Sequence, residues 1–116
     1  DAAASAYFGV GAAFGLDWLR SRIEALDIDG HWHAVARGSL REALYEIHRG
    51  LVQRVLDETR ERDPARALER WQKKHGAAAR HAQAVVSDIR AQPSGVDFAS
   101  LSVALQAVRR LVVAER

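Results

Sequence analysis

Three glycines near the N-terminus are the residues of this 116-residue chain that could contact a nucleotide phosphate. Gly9, Gly11 and Gly15 invite comparison with a dinucleotide-binding loop, whose glycines let the backbone approach a pyrophosphate. Such a loop follows a buried strand, whereas alanines precede these glycines and helical patterns follow them. We therefore interpret them as small residues that let helices approach closely, with Gly15 ending the first helix.

A second candidate for chemistry is the polar segment 27–33. Its potential metal ligands alternate along the chain: Asp27, Asp29, His31 and His33. In an extended segment these four side chains could converge on one ion, but a zinc site also needs fixed geometry and supporting hydrogen bonds. We interpret the segment as a polar loop that leads into a helix.

The remaining histidines and carboxylates give no catalytic arrangement. His75 lies on an apolar seam with no acid facing it at helical spacing, so we predict a hydrogen-bonded histidine at the core edge; His48 receives no role. No serine has the setting of a nucleophile elbow. Two carboxylate pairs are interpreted as surface charge: Asp57 with Glu58, and Glu61 with Asp63. The sequence thus predicts no catalytic, cofactor-binding or metal-binding residue.

The most concentrated charge lies between residues 66 and 90, where six basic side chains face only Glu69 and Asp88. We define the basic ridge as Arg66, Arg70, Lys73 and Arg80, which fall near one line on a single helix. Three interpretations stay open: a solvated helix face, a docking site for an acidic protein surface, and a phosphate contact. No aromatic residues interleave with the ridge as single-strand stacking would require.

Composition limits the class of protein. The net charge of +2 is too small to indicate nucleic acid binding by itself, and the absence of cysteine excludes disulfides, thiolate metal sites and cysteine catalysis. No apolar run approaches the roughly 20 residues of a membrane span. The length suits one domain, so we predict a single helical domain over 1–116. The sequence begins at Asp1 and contains no methionine, so we expect a piece of a longer protein.

Apolar periodicity predicts an all-α fold, an antiparallel bundle of four to five helices. The expected helices are about 3–15, 17–26, 31–61, 64–91 and 97–115. Asp63–Pro64 is a helix-start signature, and Asp97 is a predicted N-cap. The long third helix has an apolar stripe at spacings of three and four: Trp32, Val35, Ala36, Leu40, Leu44, Ile47, Leu51 and Val55. The fourth has a heptad seam, here called the 68–89 seam: Leu68, Trp71, His75, Ala78, Ala82, Val85 and Ile89.

Two stretches together resemble the C-terminal region of the large bacterial NAD-specific glutamate dehydrogenases. The first half of the resemblance is AYFGVGAAFGLDWLRSRIEAL, and it continues in HWHAVARGSLREALYEIHRGLVQRVL. The closing DFASLSVALQAVRRL is similar to the last segment of that family. The likeness is strongest in residues 6–56 and weak in 57–95. One departure is Ala43, where an acidic residue is expected before Leu44 and Tyr45.

This resemblance implies a non-catalytic helical domain at the C-terminal end of a much longer, multi-subunit cytoplasmic enzyme. The parent would oxidise L-glutamate to 2-oxoglutarate and ammonia with NAD as hydride acceptor. NAD and the catalytic residues would belong to an upstream domain, and this domain would contact that core or a neighbouring subunit. No membrane and no nucleic acid contact is expected.

Two rival functions remain from the residues themselves. One is a basic helical module that binds nucleic acid through Arg66, Arg70, Lys73 and Arg80. The other is a generic oligomerisation bundle that uses the 68–89 seam between chains.

Overall fold

The computed structural model describes residues 2–26, 33–92 and 97–113. Within these ranges the chain forms six helices and no strand, which confirms the all-α prediction. They are α1 (Ala2–Phe14), α2 (Leu16–Glu24), α3 (His33–Thr59), α4 (Pro64–Lys74), α5 (Gly76–Arg90) and α6 (Phe98–Val113). The predicted metal ligands Asp27, Asp29 and His31, and the side chain of His33, lie outside the described residues.

The helix ends follow local chemistry. Gly15 has a φ of 65° and separates α1 from α2, as expected for a residue without a Cβ. The Asp63 side chain accepts a hydrogen bond from the Ala65 N–H, and Pro64 opens α4. The Asp97 carboxylate accepts one from the Ser100 N–H at 2.8 Å, and this bond holds the pKa of Asp97 below its usual value. The predicted caps are therefore confirmed.

The core is built around α3, which is about 40 Å long at 1.5 Å per residue. Helices α1, α2, α4 and α6 all pack against it. The predicted stripe is confirmed from Leu40 onward, but Val35 is exposed and Trp32 lies outside the described residues. The buried stripe residues are Leu40, Leu44, Ile47, Leu51 and Val55. Glu24 near the end of α2 pairs with Arg41, while Asp17 near its start approaches His48, so α2 and α3 run antiparallel.

The single helix predicted over 64–91 is wrong. The helix breaks at His75, whose φ and ψ are −104° and 32°, and α5 begins at Gly76. Glycine costs about 1 kcal/mol relative to alanine inside a helix, so a break is least expensive there. Beyond the break, Ala82 and Ile89 are buried as the seam predicts, but two other positions differ by one residue. Ala79 and Val86 are buried where the 68–89 seam predicts Ala78 and Val85.

Close packing explains Gly11 among the N-terminal glycines. A Cβ on Gly11 would lie 3.3 Å from both His48 Cε1 and Asp17 Oδ1, whereas one on Gly9 would make only an ordinary contact with Leu68 Cδ2 at 3.5 Å. The three glycines belong to a helix and its terminus rather than to a strand–loop unit, so the small-residue interpretation is the one that the structure supports.

Replacement of Gly15 by alanine is expected to lower the free energy of unfolding by about 1–2 kcal/mol. The alanine backbone would have to adopt the left-handed conformation, and its Cβ would lie 3.0 Å from Val86 Cγ1. Gly38→Ala is the matched control, because a Cβ there meets nothing within 4 Å, and it should stabilise α3 by about 0.5–1 kcal/mol. Urea denaturation of both variants measures the difference, and equal effects would contradict it.

Candidate functional site

Among the described residues, the one buried titratable group joins two helices. His48 of α3 is 4% exposed, and its Nε2 lies 2.6 Å from the carbonyl oxygen of Tyr7 in α1. Because a carbonyl only accepts, the imidazole must donate from Nε2. Its ring also stacks on the Tyr7 ring with 3.6 Å between centroids. Sequence reasoning assigned His48 no role, because its partner is 41 residues away and no short spacing reveals it.

Burial lowers the pKa of His48 below its ordinary value of 6.5. The hydrogen bond to Tyr7 and the charge of Asp17 oppose that shift, and Arg20 adds to it. The folded protein thus prefers the neutral imidazole. A lowered folded-state pKa means that this contribution to stability is complete above pH 6.5 and is lost as the pH falls below it.

We therefore expect the free energy of unfolding to fall between pH 7 and pH 5 more in the wild type than in His48→Gln. The glutamine amide can still donate to the Tyr7 carbonyl but does not titrate in this range. His81 is exposed on α5, so His81→Gln is the control and should keep the wild-type pH profile. Parallel slopes for the wild type and His48→Gln would refute the assignment.

A second polar group is the Arg54 cluster, defined here as Arg54, Glu58, Trp71 and His75. Glu58 Oε2 accepts hydrogen bonds from Trp71 Nε1 and from His75 Nε2, the latter at 3.0 Å. Glu58 Oε1 accepts one from Arg54 Nη2 at 3.0 Å. One carboxylate of α3 therefore binds α4 and the α4–α5 junction. The prediction of a hydrogen-bonded His75 is confirmed. Glu58 is exposed, in keeping with its interpretation as surface charge, but its carboxylate also joins helices, which the sequence did not indicate.

The same cluster reaches the end of α6. Arg54 Nη1 donates to the carbonyl oxygens of Leu111 and Val112, each at 3.0 Å. These carbonyls belong to the last turn of α6, where a cation is favourable against the helix dipole. Desolvation by itself would raise the pKa of Glu58, but the hydrogen bonds from Arg54, His75 and Trp71 outweigh it and lower that pKa.

The basic ridge is divided between two helices. Arg66, Arg70 and Lys73 lie on α4, and Arg80 lies on α5 beyond the break at His75. Arg66 and Arg70 are exposed and approach acids, Asp63 at 3.7 Å and Glu61 at 3.4 Å. Exposed pairs of this kind contribute little to stability, about 0–1 kcal/mol. A single helix carrying all four cations is therefore wrong, and the docking role of the ridge stays a prediction.

The 68–89 seam is used inside the chain. Trp71, Ala82 and Ile89 are buried, and the Trp71 ring meets the Phe14 ring of α1 edge to face. Trp18 is partly buried and lies under the Arg90 guanidinium, 5.8 Å from the ring centroid. Because the seam already forms the monomer core, it offers little surface to a second chain.

Two further features bear on function. Among the described residues, no helix combines the length and apolarity that crossing a bilayer requires. Over the same ranges, no three histidine or acidic side chains converge as metal ligands would. The geometry describes an all-helical domain in which the buried His48 and the Glu58 carboxylate join helices.

Comparison with known proteins assigns this helical domain to a family. The sequence profile of the family described as "Glutamate dehydrogenase, C-terminal" matches residues 1–110, so the chain belongs to that family. The chain is also similar to the NAD-specific glutamate dehydrogenase of Mycobacterium tuberculosis (strain ATCC 25618 / H37Rv), with 32% identity over 110 residues. That alignment covers 93% of this chain but only 7% of the relative's length. No solved structure matches the chain.

Proposed function

We propose that this chain is the non-catalytic C-terminal helical domain of an NAD-dependent glutamate dehydrogenase. The observation that carries the proposal is the family match over residues 1–110. The parent would convert L-glutamate to 2-oxoglutarate and ammonia while it reduces NAD. The chain spans 7% of the length of its NAD-specific relative, so NAD and the catalytic residues are assigned to the region upstream.

The role of the domain in that enzyme would be structural or regulatory. The buried His48 and the Glu58 carboxylate are both occupied by contacts between helices. They form supports for a rigid body rather than a site for substrate. We propose that this body packs on the catalytic core or on a neighbouring subunit of a cytoplasmic, multi-subunit enzyme.

The exposed cations of α4 supply one candidate contact. Arg66, Arg70 and Lys73 face solvent, and an acidic surface on the catalytic domain or a neighbouring subunit would complement them. Nucleic acid is a weaker candidate, because Asp63 and Glu61 lie beside two of these arginines and reduce the local positive potential.

The first test is glutamate-dependent NAD reduction by the full-length parent, with and without these 116 residues, together with its mass in solution. We expect activity in the full chain and a smaller or less active assembly after truncation. A full chain without glutamate-dependent activity would overturn the enzyme assignment. Unchanged activity and mass after truncation would overturn a structural role.

The ridge has its own test in the same parent protein. A variant that combines Arg66→Glu, Arg70→Glu and Lys73→Glu should weaken the assembly, because reversed charges repel an acidic surface. The matched control is the exposed Arg49 of α3, as Arg49→Glu. An assembly that both variants leave intact excludes the ridge as a docking site.

A further inference from the structure

A groove lies between α5 and α6. Its volume is about 400 Å³, and we call it the α5–α6 groove. Its apolar lining consists of Val85 of α5 and of Val103 and Ala107 of α6. Val103 is 55% exposed, although the neighbouring Leu101, Ala104 and Leu105 are buried in the core.

The exposure of Val103 indicates a binding surface because of the residues around it. Single apolar side chains are common on protein surfaces and need no explanation. Val103, however, lines a concave surface with two other apolar residues, and the groove is formed by two packed helices. A helix that places one apolar side chain against Val103 would fill such a groove.

The charge of the groove indicates the chemistry of its occupant. Its titratable lining residues are His81 and Arg110, and the other polar residues are the neutral Ser102 and Gln106. No acid lines the groove, and over the described part of the chain neither His81 nor Arg110 forms an ion pair. An occupant with carboxylates beside its apolar face would complement this lining.

Two other grooves differ from the α5–α6 groove in the charges of their lining residues. The groove between α1 and α4, about 560 Å³, is lined by Asp63 and Glu69 beside the arginines of α4. The groove between α3 and α6 has both Glu46 and Arg109 in its lining. The first therefore presents acids, of which Asp63 already pairs with Arg66, and the second presents both signs of charge, so neither would favour an acidic occupant.

We propose that the α5–α6 groove binds an acidic amphipathic helix from the upstream part of the parent polypeptide. This rests on the proposed function, which makes the chain the C-terminal domain of a longer enzyme. The alignment covers only 7% of the relative, so nearly all of such a polypeptide lies outside this domain and at high effective concentration. Burial of the exposed part of Val103 corresponds to roughly tenfold in the docking equilibrium.

Zero-length carbodiimide cross-linking in the full-length parent tests the proposal, because this reagent joins an amine to a carboxylate in contact with it. Arg110→Lys places an amine in the groove, and mass spectrometry identifies the residue joined to it. The expected product links this position to an Asp or Glu in an upstream amphipathic helix of the same chain. Arg49→Lys, exposed on α3, is the control and should give no such product.

A second substitution tests the apolar contact. Val103→Glu, added to Arg110→Lys, should abolish the cross-link, because a carboxylate would be placed against the apolar and acidic face of the occupant. Val35→Glu is the matched control, since Val35 is 60% exposed on α3, and it should leave the cross-link unchanged. Circular dichroism verifies that each variant is folded.

Several outcomes would overturn the proposal. These are no cross-link at Arg110→Lys, a yield equal to that at Arg49→Lys, or insensitivity to Val103→Glu. A product that joins two copies in a mixture of light and heavy isotope-labelled protein would identify a second copy as the occupant instead. Activity separates the two hypotheses: an active parent without the cross-link refutes the docking alone, and the cross-link in an inactive parent refutes the enzyme assignment alone.

Discussion

Replacement of Trp71 by alanine is expected to lower the free energy of unfolding by about 3–5 kcal/mol, the usual cost of removing a buried tryptophan. The side chain is 1% exposed and contacts three helices or helix junctions. Its ring meets the Phe14 ring at 6.4 Å and the His75 ring at 4.7 Å, and its Nε1–H donates to Glu58. Alanine would leave both a cavity and a carboxylate without that donor.

A loss of this size should be visible as a fall of at least about 12 °C in the melting temperature, since 1 kcal/mol corresponds to roughly 4–8 °C in a domain of this size. Urea and thermal denaturation of the 116-residue chain measure it. Trp18→Ala is the control. Trp18 is only partly buried, so its loss should cost clearly less. Equal losses from the two variants would show that Trp71 is not the centre of the core.

Replacement of Glu58 by alanine is expected to destabilise the domain by about 2–3 kcal/mol, because a partly buried indole N–H and a cation would lose their acceptor. The carboxylate is 23% exposed and accepts from Arg54, Trp71 and His75. Glu58→Gln is the informative companion. Its amide oxygen can still accept from the indole, so it should lose less than the alanine variant.

Glu58 also contributes to the loss of folding stability at low pH. The pKa of Glu58 is lowered in the folded protein from its ordinary value of 4.5. A lowered carboxyl pKa contributes stability that is complete above pH 4.5 and is lost as the pH falls below that value through the folded pKa. Denaturation between pH 6 and pH 3 should therefore show a steeper loss in the wild type than in Glu58→Gln. If the two variants lose stability in parallel, Glu58 does not stabilise the fold through its charge.

Local signals in the sequence were sufficient for most helix boundaries. Asp63 followed by Pro64 predicts the start of α4, because the cap and the fixed φ of proline act within one turn. Gly15 as a helix end and Asp97 as an N-cap also follow from local sequence, and both predictions are confirmed. The stripe of α3 from Leu40 to Val55 follows from helical periodicity, which requires only that one face be buried.

The break at His75 shows where such signals end. A seam with spacings of three and four continues across residue 75 in the sequence. On the far side the structure buries Ala82 and Ile89 as predicted, but Ala79 and Val86 in place of Ala78 and Val85. Gly76 permits the break, but only the packing of α4 on α1 and of α5 on α6 decides that both halves are better buried separately. Periodicity cannot report this, because Ala78 or Ala79, and Val85 or Val86, fit spacings of three and four around Ala82 and Ile89 equally well.

By itself the sequence determined the all-α class, the helix caps and the likeness to a glutamate dehydrogenase C-terminal domain, which the family match over residues 1–110 confirms. Only the tertiary structure decided the role of Glu58, whose partners Trp71 and His75 are 13 and 17 residues away, and of His48, whose partner is 41 residues away. It also placed Arg80 on a different helix from Arg66. Caps and periodicity act within a few residues of chain, whereas these contacts depend on how separate helices meet in space.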